Sequence, residues 1–213
     1  MSMPVIVLGA GGHAKVLINT LQLCSIEILG VTDPVSSRLI EKNVLGVPII
    51  GTDDKLRNYS AEKVQLVNGL GSVGLPMARR RLFDEYKKLG FTFATVVHPN
   101  AVVAADVKFG EGAQIMAGVV LQPGLTIGDN VIINTGASLD HDCTIGSHTH
   151  LAPGVTLSGH VYVGSCSHIG TGASVVQGIK IGDDSLVGAG SVVLKDIPDG
   201  TKAYGCPAKV AIQ

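Results

Sequence analysis

The chain has no tryptophan, and aromatic residues make up only 4% of its 213 residues. Such a composition is typical of an interior that admits only slim side chains. Apolar segments are too short or too rich in glycine to span a bilayer, and the first residues lack the charged-then-apolar pattern of a secretory signal. The sequence therefore predicts a cytoplasmic protein without membrane insertion.

Neither the net charge nor the cysteine pattern indicates a nucleic-acid partner, a disulfide or a zinc site. The formal net charge is −1 without a basic block, which argues against nucleic acid as the main partner. The four cysteines, Cys24, Cys143, Cys166 and Cys206, form no C-x-x-C pair and are expected to be reduced packing residues rather than disulfides or zinc ligands. With 46% hydrophobic residues, the chain can bury the core of one or two enzyme domains.

The sequence does contain a repeat of six residues. The apolar positions that define it run without interruption through Val97, Val103, Phe109, Ile115, Leu121, Ile127, Ile133, Leu139, Ile145, Leu151, Leu157, Val163, Ile169, Val175, Ile181, Val187 and Val193. A period of six fits neither a helical turn nor the alternation of an ordinary strand, so each repeat predicts one short strand and one corner. The chain is therefore predicted to wind a parallel β-helix.

The corners of this coil are visible in a second column of the repeat. Three positions after each apolar residue the chain mostly has Gly, Asn or Asp, as at Gly118, Asn130 and Asp142. These residue types tolerate the left-handed backbone that a tight corner needs. Three hexads should complete one triangular coil, so that residues eighteen apart stack on each other.

The first 96 residues are organised differently, because strand and helix patterns alternate. The predicted strands are residues 5–8, 26–31, 64–67 and 91–96, and the predicted helices are 13–23 and 76–88. This alternation indicates a small parallel α/β domain, a half-Rossmann fold. The expected domains are 1–96 for this α/β part, 97–198 for the β-helix and 199–213 for a C-terminal tail.

A glycine motif lies directly after the first predicted strand. Gly9, Gly11 and Ala14 satisfy G-x-G-x-x-A, and Asp33 lies about twenty residues further on, where a dinucleotide fold holds ribose. Read literally, the motif indicates NAD, but 96 residues make only half of a two-lobed dinucleotide fold. One half is enough for a nucleotide-sugar diphosphate with its phosphates at the helix N-terminus. A turn that only packs helix on strand is the structural alternative.

Taken together, the Gly9-Ala-Gly-Gly-His turn and the hexapeptide repeats resemble the bacterial sugar-nucleotide acetyltransferases. This group includes the UDP-4-amino-sugar N-acetyltransferases of bacillosamine synthesis, the GDP-perosamine N-acetyltransferases and the sialic acid O-acetyltransferases. The resemblance implies a left-handed β-helix, acetyl-CoA as co-substrate, and a homotrimer with active sites between subunits. It also implies that the N-terminal domain holds the nucleotide, and the matching motif positions are Gly11, Gly12, His13, Asp33 and Gly71.

The same resemblance implies that His141 is a general base and Asp142 its orienting partner. A carboxylate on one imidazole nitrogen fixes the tautomer and leaves the other nitrogen to take a proton. Many relatives have Glu in place of Asp142, and Asp140 is a possible substitute. Both His141 and Asp142 could instead be solvated turn residues.

The stacking of residues eighteen apart adds Gly159, which lies one coil after His141. The backbone N–H of Gly159 is expected about 4.8 Å from the level of His141, where it would bind an oxyanion. The resemblance places acetyl-CoA against His150, Thr171, Ala189 and Lys209, with His150 on another corner of the coil. The plainer alternatives are an exposed corner histidine at His150 and a solvated lysine at Lys209.

The predicted function is acetyl-CoA-dependent N-acetylation of the 4-amino group of a UDP-linked amino-dideoxy sugar. Direct attack is expected, because no Ser or Cys nucleophile lies beside a base in the sequence. The alternatives are O-acetylation of sialic acid, N-acetylation of a GDP-linked amino sugar, and a nucleotide-sugar sensor with an inactive coil. No metal is expected, since no Cys or carboxylate joins His148, His150, His160 and His168 at consistent spacing.

Overall fold

The computed structural model describes residues 3–34 and 42–210. The chain divides into two compact units, the first formed by Met1–Gly71 with Ala78–Pro99 and the second by Ser72–Met77 with Asn100–Gln213. Within the described residues, none of the helices has the length and apolar character needed to cross a membrane.

The first unit is an α/β domain built on a five-stranded sheet in the order β3-β4-β2-β1-β5. Its elements are β1 Val5–Leu8, α1 Gly12–Leu23, β2 Ile28–Thr32, β3 Asn43–Val44, β4 Val47–Gly51, a 3-10 helix Asp53–Asn58, β5 Gln65–Asn68, α2 Met77–Lys88 and β6 Val96–Val97. Strand β1 pairs in parallel with β2 and β5, and all four of its residues are buried. The glycine turn that follows β1 therefore lies at the carboxyl ends of the parallel strands.

Some elements of this unit differ from the sequence-based expectation. The β3–β4 hairpin and the 3-10 helix are additions, because residues 42–58 mix polar residues with apolar residues that follow no clear period. The predicted strand 91–96 is mostly irregular. Phe93 makes one isolated bridge with Leu66 and packs into the core, where its ring stacks on Phe83 at 4.5 Å between centroids.

The second unit is a left-handed β-helix whose two-residue strands form three faces. The first face contains β7 Val102–Val103, β10 Val120–Leu121, β13 Ser138–Leu139, β16 Thr156–Leu157, β19 Ser174–Val175 and β22 Val192–Val193. The second face contains β8 Lys108–Phe109, β11 Thr126–Ile127, β14 Thr144–Ile145, β17 Tyr162–Val163 and β20 Lys180–Ile181. The third face contains β9 Gln114–Ile115, β12 Ile132–Ile133, β15 His150–Leu151, β18 His168–Ile169, β21 Leu186–Val187, β23 Lys202–Tyr204 and β24 Lys209–Val210.

The register of the coils is the one that the repeat predicts. Leu121 pairs with Leu139 and Leu139 with Leu157, so three hexads complete one coil and residues eighteen apart stack. The second residue of most strands is buried, as at Leu139 with 0% exposure, and burial of such apolar area is the main stabilising contribution. Residues 202–210 of the predicted tail continue the third face, where Lys202 pairs with Leu186, whereas 211–213 lie outside the described residues.

Candidate functional site

The corner after β13 carries the candidate base. The Nδ1 atom of His141 lies 2.8 Å from Oδ2 of Asp142, whereas Asp140 accepts the backbone N–H of His141 at 2.8 Å. A carboxylate only accepts hydrogen bonds, so in the neutral ring Nδ1 carries the proton and Nε2 has the lone pair. The hydrogen bond to Asp142 is the largest cause that raises the pKa of His141 above its ordinary value. Asp142, rather than Asp140, therefore contacts the imidazole.

Gly159 lies against the imidazole from the next coil. A Cβ atom at residue 159 would lie 2.5 Å from Nε2 and 2.6 Å from Cε1 of His141, which is closer than Cβ atoms approach other heavy atoms. Only glycine therefore admits the ring in this position, because it packs against the Nε2 side of the imidazole without a side chain. The structure gives Gly159 this steric role, and oxyanion binding by its N–H stays a prediction.

The corner that holds Asp142 has the left-handed backbone that the corners of the coil share. Its stacked residues are Gly124, Asp142, His160 and Gly178, with φ angles of +81°, +60°, +56° and +75°. A left-handed backbone costs a residue with a Cβ about 1–2 kcal/mol, and Asn130, His148, Cys166 and Asp184 adopt it at other corners. A Cβ atom at Gly124 would collide with Oδ1 of Asp142, so glycine below the acid leaves room for its carboxylate.

His160 belongs to this cluster, although the sequence analysis gave it no role in catalysis. Its Nε2 atom lies 3.5 Å from Oδ2 of Asp142, and its ring meets the ring of His141 edge-on at 5.0 Å between centroids. The sequence contained the information needed to predict this contact, because residue 160 follows residue 142 by eighteen residues, which is one coil. Donor atoms of the three side chains lie within 4.8 Å of one another, a spacing that could admit a cation, but all three are exposed. That the reaction needs no metal stays a prediction.

His150 is buried on the third face rather than exposed at a corner. It is only 5% exposed, its Nδ1 lies 2.8 Å from Oγ of Ser72, and its Nε2 lies 3.2 Å from Nδ2 of Asn134. The ring meets that of His168 edge-on at 5.0 Å, as stacking predicts for residues eighteen apart. Because both ring nitrogens have protein partners, a hydrogen bond between His150 and acetyl-CoA would have to replace one of these bonds.

The other residues expected at CoA lie exposed on the later coils. Thr171 and Ala189 occupy equivalent places on adjacent coils, where the Gly190 N–H donates to the Thr171 carbonyl at 2.8 Å. Their side chains are small, so the surface along this corner is close to the backbone. Lys209 lies exposed in β24. The structure thus brings Thr171 and Ala189 together, and the role of Lys209 stays a prediction.

In the first unit the candidate nucleotide residues gather where α1 begins. Gly11 is the N-cap of α1 and makes no side-chain capping bond, so the first-turn amides can serve an anion. A Cβ atom at Gly12 would meet nothing within 4 Å, which leaves this side of the turn open. A Cβ atom at Gly71 would lie 3.1 Å from Cβ of His13, so the turn after β5 packs against the turn after β1.

Asp33 supports this turn from inside the domain. It is fully buried, and its Oδ2 accepts the N–H of Ala10 at 2.6 Å. Its own N–H donates to the Gly51 carbonyl at 3.0 Å. Asp33 therefore holds the glycine turn at the end of β1, and a direct bond to ribose stays a prediction.

Arg79 is a second residue that the sequence analysis missed. It is 1% exposed, and its Nη1 donates to the carbonyls of Asn68 and Leu70, both at 2.8 Å. Asn68 Nδ2 donates in return to the Arg79 carbonyl at 3.0 Å. Burial lowers the pKa of Arg79 to about 9, so it stays charged at neutral pH. Its position could have been read from helix phase, since Arg79, Phe83 and Tyr86 share the buried face of α2.

The chain is similar to known families over both units. The PglD N-terminal domain family matches residues 4–86, and the bacterial transferase hexapeptide family matches residues 106–140 and 124–159. No curated protein sequence matches the chain.

Solved structures match over the full length. PerB from Caulobacter crescentus, in complex with CoA and GDP-perosamine, is 39% identical, with a TM-score of 0.88 over 99% of this chain and 100% of its own. The acetyltransferase domain of PglB from Neisseria gonorrhoeae, in complex with acetyl coenzyme A, is 35% identical, with a TM-score of 0.91 over 99% of this chain and 100% of its own. WeeI from Acinetobacter baumannii, at 24% identity and a TM-score of 0.83 over 99% and 100% of the two chains, shares the fold.

Proposed function

The chain belongs to the sugar acetyltransferases that join a PglD-type N-terminal domain to hexapeptide repeats, and from this membership we propose that it transfers acetyl from acetyl-CoA to the amino group of a nucleotide-linked sugar. The observation that carries the proposal is the hydrogen bonding of His141 and the surroundings of its side chain. Its Nδ1 is bound to Asp142 at 2.8 Å, its side chain is exposed, and Gly159 places no side chain against Nε2. This arrangement suits a base that accepts one proton from an exposed substrate.

In the proposed reaction the sugar amine attacks the thioester carbonyl carbon while Nε2 of His141 takes one amine proton. The new C–N bond leaves an oxyanion, which we assign to the N–H of Gly159. When the oxyanion collapses, the C–S bond breaks and the imidazolium returns its proton to the CoA thiolate. Asp142 stabilises the imidazolium between these two steps, and no covalent enzyme intermediate is needed.

For the substrate we propose the 4-amino group of a UDP-linked amino-dideoxy sugar, with the nucleotide at Gly11, Gly12, His13, Asp33 and Gly71. The partial positive charge at a helix N-terminus and the open glycine face of this turn suit a diphosphate. A GDP-linked amino sugar is the second candidate substrate. Its support is the similarity to the Caulobacter protein, which was crystallised with GDP-perosamine.

For acetyl-CoA we propose the exposed corner formed by Thr171 and Ala189, with Lys209 near a CoA phosphate and His150 contacting the cofactor from a neighbouring subunit. Small side chains at residues 171 and 189 let a pantetheine arm run along the backbone. The similarity to a structure that contains acetyl coenzyme A supports this co-substrate.

We further propose a homotrimer that packs through the first face of the β-helix. The outward residues of this face are slim and uncharged, namely Val102, Val120, Ser138, Thr156, Ser174 and Val192. The second face instead presents Lys108 and Lys180. Because the corner with His141 directly follows β13 of the first face, a copy packed there would adjoin the base.

The deciding experiment is a thiol-release assay with acetyl-CoA and a panel of acceptors, namely UDP- and GDP-linked 4-amino sugars and free sialic acid. We expect one CoA thiol for each amino-sugar nucleotide that is acetylated, and the preferred nucleotide identifies the substrate. Release with sialic acid alone would indicate O-acetylation. Nucleotide-sugar binding without thiol release would indicate a sensor.

A further inference from the structure

Asp142 interacts with two imidazole rings through one oxygen. Its Oδ2 lies 2.8 Å from Nδ1 of His141 and 3.5 Å from Nε2 of His160. The carboxylate is half exposed, so water competes with His141 for it. The neighbouring carboxylate of Asp140 is engaged by the backbone N–H of His141. His160 is thus the side chain that contacts Asp142 from the adjoining coil.

The backbone at residue 160 has the left-handed conformation that the corners of the coil share, as at His148 and Cys166. In the same corner Gly124 and Gly178 take the left-handed backbone without a Cβ penalty, whereas His160 takes it at φ +56°. A histidine there costs about 1–2 kcal/mol relative to a residue that tolerates this conformation. Asp142 lies on the same coil as His141, and His160 lies at the equivalent corner of the next coil.

We propose that His160 is a positioning residue for the proposed base. It holds the Asp142 carboxylate in the orientation that binds Nδ1 of His141, and it thereby fixes the tautomer that leaves Nε2 basic. The kinetic part of this inference rests on the proposed acetyl transfer, but the link between His160 and His141 is a property of the free protein.

The first test replaces His160 with glycine, which removes the ring and relieves the left-handed strain. We expect turnover at neutral pH to fall roughly tenfold, while the Michaelis constants change less than about twofold and the melting temperature holds or rises. The matched control is His148→Gly, at φ +64° in a different corner, where the ring contacts Nδ2 of Asn130. This control relieves similar strain and is expected to keep wild-type turnover.

A double-mutant cycle separates positioning from direct contact with substrate. If His160 acts through Asp142, then His160→Gly should cause no further loss in an Asp142→Asn background, because residues that act as a unit are not additive. Additive losses, or a raised Michaelis constant for the sugar, would place His160 on the substrate and overturn the proposal. Wild-type turnover in His160→Gly would overturn it as well.

A titration of the histidine rings by NMR tests the same link without any substrate. With His160 removed, water screens Asp142 more strongly, so the pKa of His141 should fall toward its ordinary value. An unchanged titration of His141 overturns the positioning role. If wild-type protein releases no thiol with any acceptor but the titration shifts as expected, the proposed reaction fails while the positioning role stands.

Discussion

The Nε2 atom of His141 and the α-carbon of Gly159 face each other across successive coils so closely that a Cβ atom at residue 159 would lie 2.5 Å from Nε2. His141 and Gly159 therefore constrain each other sterically, although eighteen residues separate them in the sequence. A side chain at residue 159 and the imidazole cannot occupy this place together.

Gly159→Ala tests that relationship. The backbone at residue 159 is not left-handed, so alanine fits the chain, but its Cβ displaces the ring and weakens the bond between Nδ1 and Asp142. We expect turnover, measured by thiol release, to fall roughly 10- to 100-fold. The melting temperature should change little. In a His141→Ala background the same substitution should cause no further loss. A Gly159→Ala enzyme with native turnover would refute the steric argument.

His141→Ala removes the proposed base. A positioned general base contributes roughly 10²–10⁴ in rate, so turnover at saturating substrates should fall by that factor. The side chain is exposed, and we therefore expect the melting temperature and the affinity for acetyl-CoA to stay close to the wild-type values. Near-native turnover would mean that solvent or another group deprotonates the amine, and His150 would be the next candidate.

Asp142→Asn is expected to move the pH dependence of turnover. A histidine base accepts a proton only when neutral, so if His141 is the base, activity should rise as the pH rises through its pKa. Asp142 raises that pKa. Loss of the carboxylate removes the largest cause of the increase, and the acidic limb should move to lower pH while the maximal rate falls. Turnover measured across neutral pH checks both effects. A limb that moves to higher pH would contradict the assigned hydrogen bond.

The parts of this site that follow from local or periodic sequence features could be predicted. The six-residue period fixes the coil, and adjacency in sequence places Asp142 beside His141. The stacking rule that identified Gly159 also places His160 over Asp142, so this contact was accessible from the sequence. The burial of His150 was not, because its partner Ser72 comes from a distant segment of no fixed period.

Arg79 illustrates a different difficulty. It stands in a run of three arginines, which on composition alone indicates a solvated helix face. Packing of α2 on the sheet buries the first of the three and leaves Arg81 exposed, and only the helical phase distinguishes them. The carbonyls that Arg79 contacts belong to the turn after β5, a tertiary partner that its own helix does not specify.

The proposed trimer interface can be tested on matched threonines. Thr156 is exposed on the first face and Thr126 on the second, so Thr156→Arg and Thr126→Arg place the same charge on the two faces. Light scattering should give three times 21.9 kDa for the wild type and for Thr126→Arg, and a smaller mass for Thr156→Arg. A wild-type mass of 21.9 kDa at micromolar concentration would exclude the trimer, and dissociation by Thr126→Arg alone would move the interface to the second face.

Substitution of Arg79 tests the proposed nucleotide site through the turn that forms it. Arg79→Met leaves the carbonyls of Asn68 and Leu70 without their donor, and each buried unsatisfied group costs about 1–3 kcal/mol. We expect a lower melting temperature together with a raised Michaelis constant for the sugar nucleotide, because Gly71 lies at the end of this turn and packs on His13. The Michaelis constant for acetyl-CoA should not change, since that ligand is assigned to the β-helix.

Arg79→Lys keeps the charge and one donor group, so it should recover part of both effects. Calorimetry with UDP and GDP provides the direct measurement, and equal nucleotide affinity in wild type and Arg79→Met would show that the turn after β5 does not contribute to the site.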